Sequence, residues 1–251
     1  MTKTVFIPPA NPEAKPVTFI WLHAMGTNVA KGKVLHQDLL RFAGLDNINL
    51  VLPSAPQRLV TTVQKWLPAW YDLYHETLHQ HTQEDIEGMN DAMAAVQAVI
   101  DEERRKNPDT PIVLGGFSQG GVVALLSGLA QTVPLLAIVV FSGHTPDHPR
   151  FIELSDQARE TPIFVCHGTL DPLIPILKVE EGVSALINSK ANVEFRRYPI
   201  MHEVSPDEFK DLGEFLRAHF ENYWAKDDSH RLIATASLEE SFHTTRGKTQ
   251  L

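Results

Sequence analysis

Two short patterns in this 251-residue chain are suited to hydrolytic chemistry. Gly116-Phe117-Ser118-Gln119-Gly120 reads G-x-S-x-G, a turn that presents a serine hydroxyl as a nucleophile. His75-Glu76-Thr77-Leu78-His79 reads H-E-x-x-H, two zinc-ligating imidazoles one helical turn apart with a glutamate base between them. Context separates the two. A nucleophile turn needs a buried strand before it and a packed helix after it; Ile112-Val113-Leu114 reads as the strand and Gly121 to Ser127 as the helix. Gly116 and Gly120 suit a turn tight enough to leave no room for Cβ atoms. The zinc pattern needs both histidines on one helix and a third ligand elsewhere, for which Glu102 or Glu103 are candidates. The segment around His75 follows an aromatic loop, Pro68 to Asp72, and has little helical periodicity, so His75 and His79 are read as loop histidines and no metal is expected.

A serine nucleophile requires a base and an orienting acid. In this chemistry they follow the serine in chain order, each on a loop after a later strand. Asp171 follows the apolar run Pro162 to Cys166, and His202 follows Val193 to Tyr198. Asp147 and Asp156 are alternative acids, but both precede the appropriate run. His202 would take the Ser118 proton, and Asp171 would orient the imidazole and stabilise its charged form. The resulting oxyanion needs two backbone donors; the candidates are the amides of Gln119, just after the serine, and Met25, just after the run Val17 to Leu22. His23 is read as a brace for that early loop rather than a catalytic group.

These positions demand a particular frame. Val17 to Leu22, Ile48 to Leu52, Ile112 to Leu114, Leu135 to Phe141, Pro162 to Cys166 and Val193 to Tyr198 are short, nearly continuous apolar runs, as in parallel strands covered on both faces. They alternate with helical patterns, which predicts an α/β fold with a mostly parallel central sheet and helices on both faces. Ile86, Met89, Met93, Val96 and Ile100 recur at helical spacing within a predicted helix from about Gln83 to Lys106, with Thr82 as its N-cap. Ser205-Pro206-Asp207-Glu208 reads as a capping box opening a helix that ends near Trp224.

Composition narrows the functional classes. The chain carries 31 acidic and 22 basic side chains, a formal charge of −9, the wrong sign for holding phosphate backbones or anionic lipid, so nucleic acid is excluded as a first reading. A single cysteine, Cys166, cannot close an intramolecular disulfide and points to a reducing compartment. The longest aliphatic stretch, Leu135 to Phe141, is far short of the roughly 20 residues that span a bilayer, and the N-terminus has no signal-peptide core. A cytoplasmic protein without an integral membrane segment is expected. Residues 1–225 read as one catalytic domain; residues 226–251, polar with four basic against four acidic side chains, read as a disordered tail.

Together, Leu22-His23-Ala24-Met25-Gly26, Pro53 to Pro56, Pro68 to Asp72, Gly116 to Gly121, Phe141-Ser142-Gly143, His167 to Pro175 and Tyr198 to His202 resemble the acyl-protein thioesterase, phospholipase and carboxylesterase family of α/β-hydrolases. The resemblance runs from about Phe19 to Phe220. It implies an α/β-hydrolase fold, the triad Ser118, Asp171 and His202, an oxyanion hole from the Met25 and Gln119 amides, and substrate contacts from Trp70, His144 and Leu173. It implies no metal or organic cofactor, and a small acyl ester or S-acylated substrate. The chain departs from the family pattern at Ala24 and Thr27 in the first loop, over Leu59 to Trp66, and at His144, where the family commonly has an aromatic residue. These changes surround the acyl pocket. Trp66, Trp70, Tyr71 and Tyr74 are candidates for a lid, beside the plainer reading of loop aromatics that cover the core. The expected activity is hydrolysis of carboxylic esters, extending to thioesters, with an acyl-protein thioesterase or a lysophospholipase as the alternative; the rival from another class is a hydrolase-like binding protein without turnover, motivated by the altered first loop.

Overall fold

All six apolar runs become strands of one seven-stranded sheet in the computed structural model, which describes residues 3–27, 32–78, 83–148 and 154–225. In chain order the strands are β1 (Thr4–Ile7), β2 (Val17–Leu22), β3 (Ile48–Pro53), β6 (Ile112–Phe117), β7 (Ala137–Phe141), β8 (Ile163–Gly168) and β9 (Val193–Tyr198). A separate hairpin of β4 (Gln57–Val60) and β5 (Lys65–Pro68) turns through Gln64 at φ 52°. The spatial order is β1-β3-β2-β6-β7-β8-β9. Only β1 runs antiparallel to its neighbour; the other pairings are parallel. β6 lies between β2 and β7, near the middle of the sheet, so the serine that follows it emerges at the centre of the carboxyl edge. Loops at that edge are where an open parallel sheet places its ligands.

Helices cover both faces, as the continuous apolar strands require. On one face lie α2 (Ile86–Lys106), α3 (Gln119–Leu129), α4 (Asp156–Glu160) and α5 (Ile176–Asn188), which share a core with Ile20, Leu22, Leu114 and Val140. On the other lie α1 (Gly32–Arg41) and α6, a helix over residues 206–225. There Leu39, Phe209, Leu212, Phe215, Leu216 and Phe220 pack on Phe19, Trp21, Phe141 and Phe164. Each such side chain contributes about 1.5–3 kcal/mol through burial. The capping box forms as the residue types require: the Ser205 amide donates to Glu208 Oε2 (2.7 Å) and the Glu208 amide to Ser205 Oγ (3.3 Å).

The structure corrects several boundaries. β6 continues through Gly115-Gly116-Phe117, three residues beyond the apolar run, and β7 begins two residues later than Leu135. The cap of α2 is Asp85, whose side chain accepts the Gly88 amide, not Thr82, which lies outside the described residues. The 226–251 segment also lies outside them. Among the described residues no helix is long and apolar enough to cross a membrane.

Among the described residues, β9 is the border strand of the sheet opposite β1. Its Arg196 and Arg197 are exposed, Arg196 donating to Glu194 (2.9 Å) and Arg197 to Glu180 of α5 (2.7 Å).

The tightest packing in the frame is where α3 crosses the end of β2. A Cβ on Gly120 would run into the Leu22 and His23 carbonyls, which are backbone and cannot turn aside. Gly120→Ala is therefore expected to lower stability by about 1–3 kcal/mol in urea denaturation; an unchanged urea midpoint would show that the crossing has slack.

Candidate active site

Ser118 joins β6 directly to α3. Its backbone sits at φ 56°, ψ −120°, a region an L-residue occupies only when its surroundings enforce it. The enforcement is visible on both sides: the Ser118 amide donates to Phe141 O of β7 (2.8 Å), and its carbonyl accepts the Val122 amide of α3 (3.1 Å). Every residue of α3 is buried, so the helix cannot swing to relax the turn. Although Ser118 stands at the helix N-cap, its hydroxyl makes no capping bond and is left for other partners.

The acid and base reach it from neighbouring strands. Asp171 lies on the loop after β8 and His202 on the loop after β9, and the two loops are joined by Thr169 N to Tyr198 O (2.7 Å) and Leu170 N to Ile200 O (3.1 Å). At Gly168 the same loops pass so closely that a Cβ would strike the Ile200 and Met201 carbonyls. His202 then bridges the pair: Nδ1 lies 2.6 Å from Asp171 Oδ2 and Nε2 lies 2.8 Å from Ser118 Oγ. A carboxylate only accepts, so Nδ1–H is the donor and Nε2 is left to accept the Ser118 hydroxyl proton. The Phe117 ring packs against the imidazole at 5.1 Å.

Asp171 is unusually well supplied with donors. Oδ1 accepts the Leu173 (2.8 Å) and Ile174 (3.0 Å) amides, and His167 Nε2 lies 3.2 Å from Oδ2 while also donating to Ile174 O (2.8 Å). Burial pushes this carboxyl upward, but the bonds from His167, His202 and the Ile174 amide outweigh it and hold the group far below the ordinary carboxylate range. The alternative acids are elsewhere: Asp156 pairs with Arg159 on α4, and the Asp147 amide donates to Glu84. Burial raises the thiol of Cys166, in β8, well above its usual value, as befits a packing residue and not a nucleophile.

Met25 and Gln119 line the same cavity as Ser118 and His202. What holds them there was not legible in the sequence. Gln119 is buried, and its side chain clamps the 69–73 loop, Oε1 accepting the Trp70 amide and Nε2 donating to Tyr71 O, both at 2.8 Å. Trp70 in turn donates its indole N–H to His23 O (2.8 Å). His23 serves as the expected brace: Nε2 accepts the Ala55 amide (3.0 Å), Nδ1 donates to Ala24 O (2.8 Å), and burial lowers its basicity so that it stays neutral. The departures at Ala24 and Thr27 are accommodated locally, since the Thr27 hydroxyl closes the turn onto Ala24 O (2.8 Å).

A cavity of about 290 Å³ opens at Ser118, walled by Tyr71, Leu78, His144, Leu173 and Ile174. The Leu78 amide donates to Leu173 O (3.0 Å), tying two walls together. His144, almost fully buried, donates Nε2–H to Glu84 (2.5 Å). Burial keeps the imidazole neutral; Glu84 is raised by the same burial, but the bonds from His144 and the Asp147 amide leave it ionised. Of the expected substrate contacts, His144 and Leu173 line the cavity and Trp70 does not. Its ring is 2% exposed and is used up in bracing His23, and Tyr71 takes the wall position instead. Trp66 stands on the hairpin, 69% exposed, and lines no wall of this cavity. The H-E-x-x-H segment is irregular through residues 72–78 where a zinc site of this type needs a helix, and His79 lies outside the described residues.

Comparison with known proteins agrees with this geometry. The sequence profile of the phospholipase/carboxylesterase family matches residues 1–220. Acyl-protein thioesterase 1 of Mycosarcoma maydis is 29% identical over 236 residues, covering 85% of this chain and 95% of the relative. Among solved structures, Zea mays acyl-protein thioesterase 2 superposes with a TM-score of 0.72 at 27% identity, covering 87% of this chain and 99% of the other. Arabidopsis thaliana SOBER1 gives 0.76 at 25%, covering 82% and 99%. The chain thus belongs to the phospholipase/carboxylesterase family and is a carboxylic ester hydrolase built on the α/β-hydrolase fold.

Proposed function

We propose that the chain cleaves carboxylic esters and thioesters through an acyl-enzyme on Ser118, with His202 as the base and Asp171 as its orienting acid. The observation that carries this reading is the position of His202, in hydrogen-bond contact with Ser118 Oγ and Asp171 Oδ2 at once. In the first half-reaction the Ser118 proton passes to His202 Nε2 as Oγ bonds the acyl carbon, and the carbonyl electron pair moves onto oxygen. The Met25 and Gln119 amides stabilise that oxyanion. Collapse breaks the bond to the alcohol or thiol, which leaves with the proton from Nε2. Water then gives a proton to Nε2 and attacks the acyl-enzyme; release of the carboxylic acid returns the proton to Ser118. No step calls for a metal or organic cofactor. The acyl-protein thioesterase names of the relatives support small acyl esters and S-acyl groups as substrates. The lone, unpaired Cys166 supports a place in the reducing cytoplasm.

Ser118→Ala should lower hydrolysis of p-nitrophenyl butyrate by at least about 10⁴-fold and abolish both the acylation burst and labelling by a fluorophosphonate. Wild-type protein that shows no burst and no label would be a binding protein and not an enzyme. Asp171→Asn should retain labelling but lose about 10⁴-fold in kcat, because an amide can hold His202 in the wrong tautomer.

The pH profile follows from the depressed acidity of Asp171. The carboxylate stays ionised through the ordinary carboxylate range, so between about pH 4 and 7 Asp171 should add no ionisation of its own to the acid limb of the profile, and the slope of log kcat/KM should not exceed one. A slope approaching two in that range would mean that Asp171 gains a proton there.

A further inference from the structure

A second cavity, of about 510 Å³, adjoins the first on the α1 and α6 side of the sheet. The two share Ala24, Thr27, Phe117 and His202, but Ser118, Met25 and Gln119 line only the smaller one. We infer that the larger cavity receives the leaving-group part of the substrate, and that the preferred substrates join a short acyl group to a bulky apolar alcohol or thiol. This rests on the proposed roles of Ser118 and His202.

The directions around the reacting carbon support the division. The oxyanion turns to the Met25 and Gln119 amides, and the departing oxygen or sulfur must reach His202 Nε2 to collect its proton. The space that touches the base without touching the nucleophile or the amide pair is therefore the one into which the leaving group extends. The acyl substituent is left with the remaining direction, toward Tyr71, Leu78 and Leu173.

The two spaces differ in size and chemistry. The acyl side is at the lower end for small-molecule sites, is bounded by walls tied together through the Leu78 to Leu173 bond, and presents the polar side chains of Glu76 and His144, against which an alkyl tail gains little. The leaving-group side is walled by Trp21, Val34, Leu35, Leu52 and Phe209. Its charged members are Asp38 and Glu203, with no Lys or Arg among the described lining residues, so a phosphate-bearing leaving group meets like charge. An apolar, uncharged alcohol or thiol fits; the glycerophosphate part of a lysophospholipid does not.

Nonyl acetate and methyl decanoate test this directly, because they are isomers that differ in which side of the carbonyl carries the chain. Below their solubility limits, nonyl acetate should be hydrolysed with a kcat/KM at least about tenfold higher, since methylenes are buried only on the leaving-group side. Val34 is 56% exposed, so the mouth can take a larger side chain; Val34→Trp should raise KM for nonyl acetate at least about threefold per fluorophosphonate-titrated site. Equal rates, a preference for methyl decanoate, or an unchanged KM in Val34→Trp would overturn the inference while leaving a Ser118 that still labels. Hydrolysis of neither isomer, together with no labelling, would overturn the Ser118 reading and this one with it.

Discussion

The one constraint on which the rest of this molecule depends is the backbone of Ser118, held at positive φ between a strand and a helix. Such a conformation costs on the order of 1–3 kcal/mol and survives only where its neighbours leave no alternative. The neighbours here are the Phe141 carbonyl on one side and a wholly buried helix on the other. Both follow from the sheet: β6 has strands on each flank, and α3 is buried on every side because it is enclosed by β6, β7 and α2. The strain at one residue is thus offset by the burial of eleven others in α3.

Around that turn the charges are arranged in two buried carboxylate–imidazole pairs with different duties. Asp171 faces His202 at the cavity edge, while Glu84 faces His144 within the wall. Both carboxylates are held ionised by hydrogen bonds that outweigh burial. Only His202 has its second nitrogen against a nucleophile. In the proposed reaction the first pair moves a proton; the second reaches the smaller cavity through His144, which lines it.

Much of this was legible in the residues themselves. The strand runs, the glycines of the serine turn and the chain order Ser118, Asp171, His202 are local or topological signals, and a parallel sheet brings loops after successive strands to one edge. What was missed depends on contacts across the chain. β1 is a four-residue edge strand, too short to show a period; α1 shows little more than Leu35 and Leu39 on its buried side. Asp85 and Thr82 are equally good caps by type, and only the fold chooses. Trp70 read as a substrate contact because an aromatic residue in a loop has no visible partner until His23 and Gln119 are placed beside it. The division of the site into two cavities depends on α1 and α6 lying together across the sheet from α3, which no local pattern encodes.

The free edge of the sheet has a bearing on how the site survives in a crowded solution. β9 leads straight into the loop that carries His202, and among the described residues no strand lies beyond it. Arg196 and Arg197 place charge along that border, with Glu194 and Glu180 fixing their direction. Their contribution to the stability of the isolated chain is small. Charge on a border strand disfavours edge-to-edge pairing, and this border leads into the loop that carries His202.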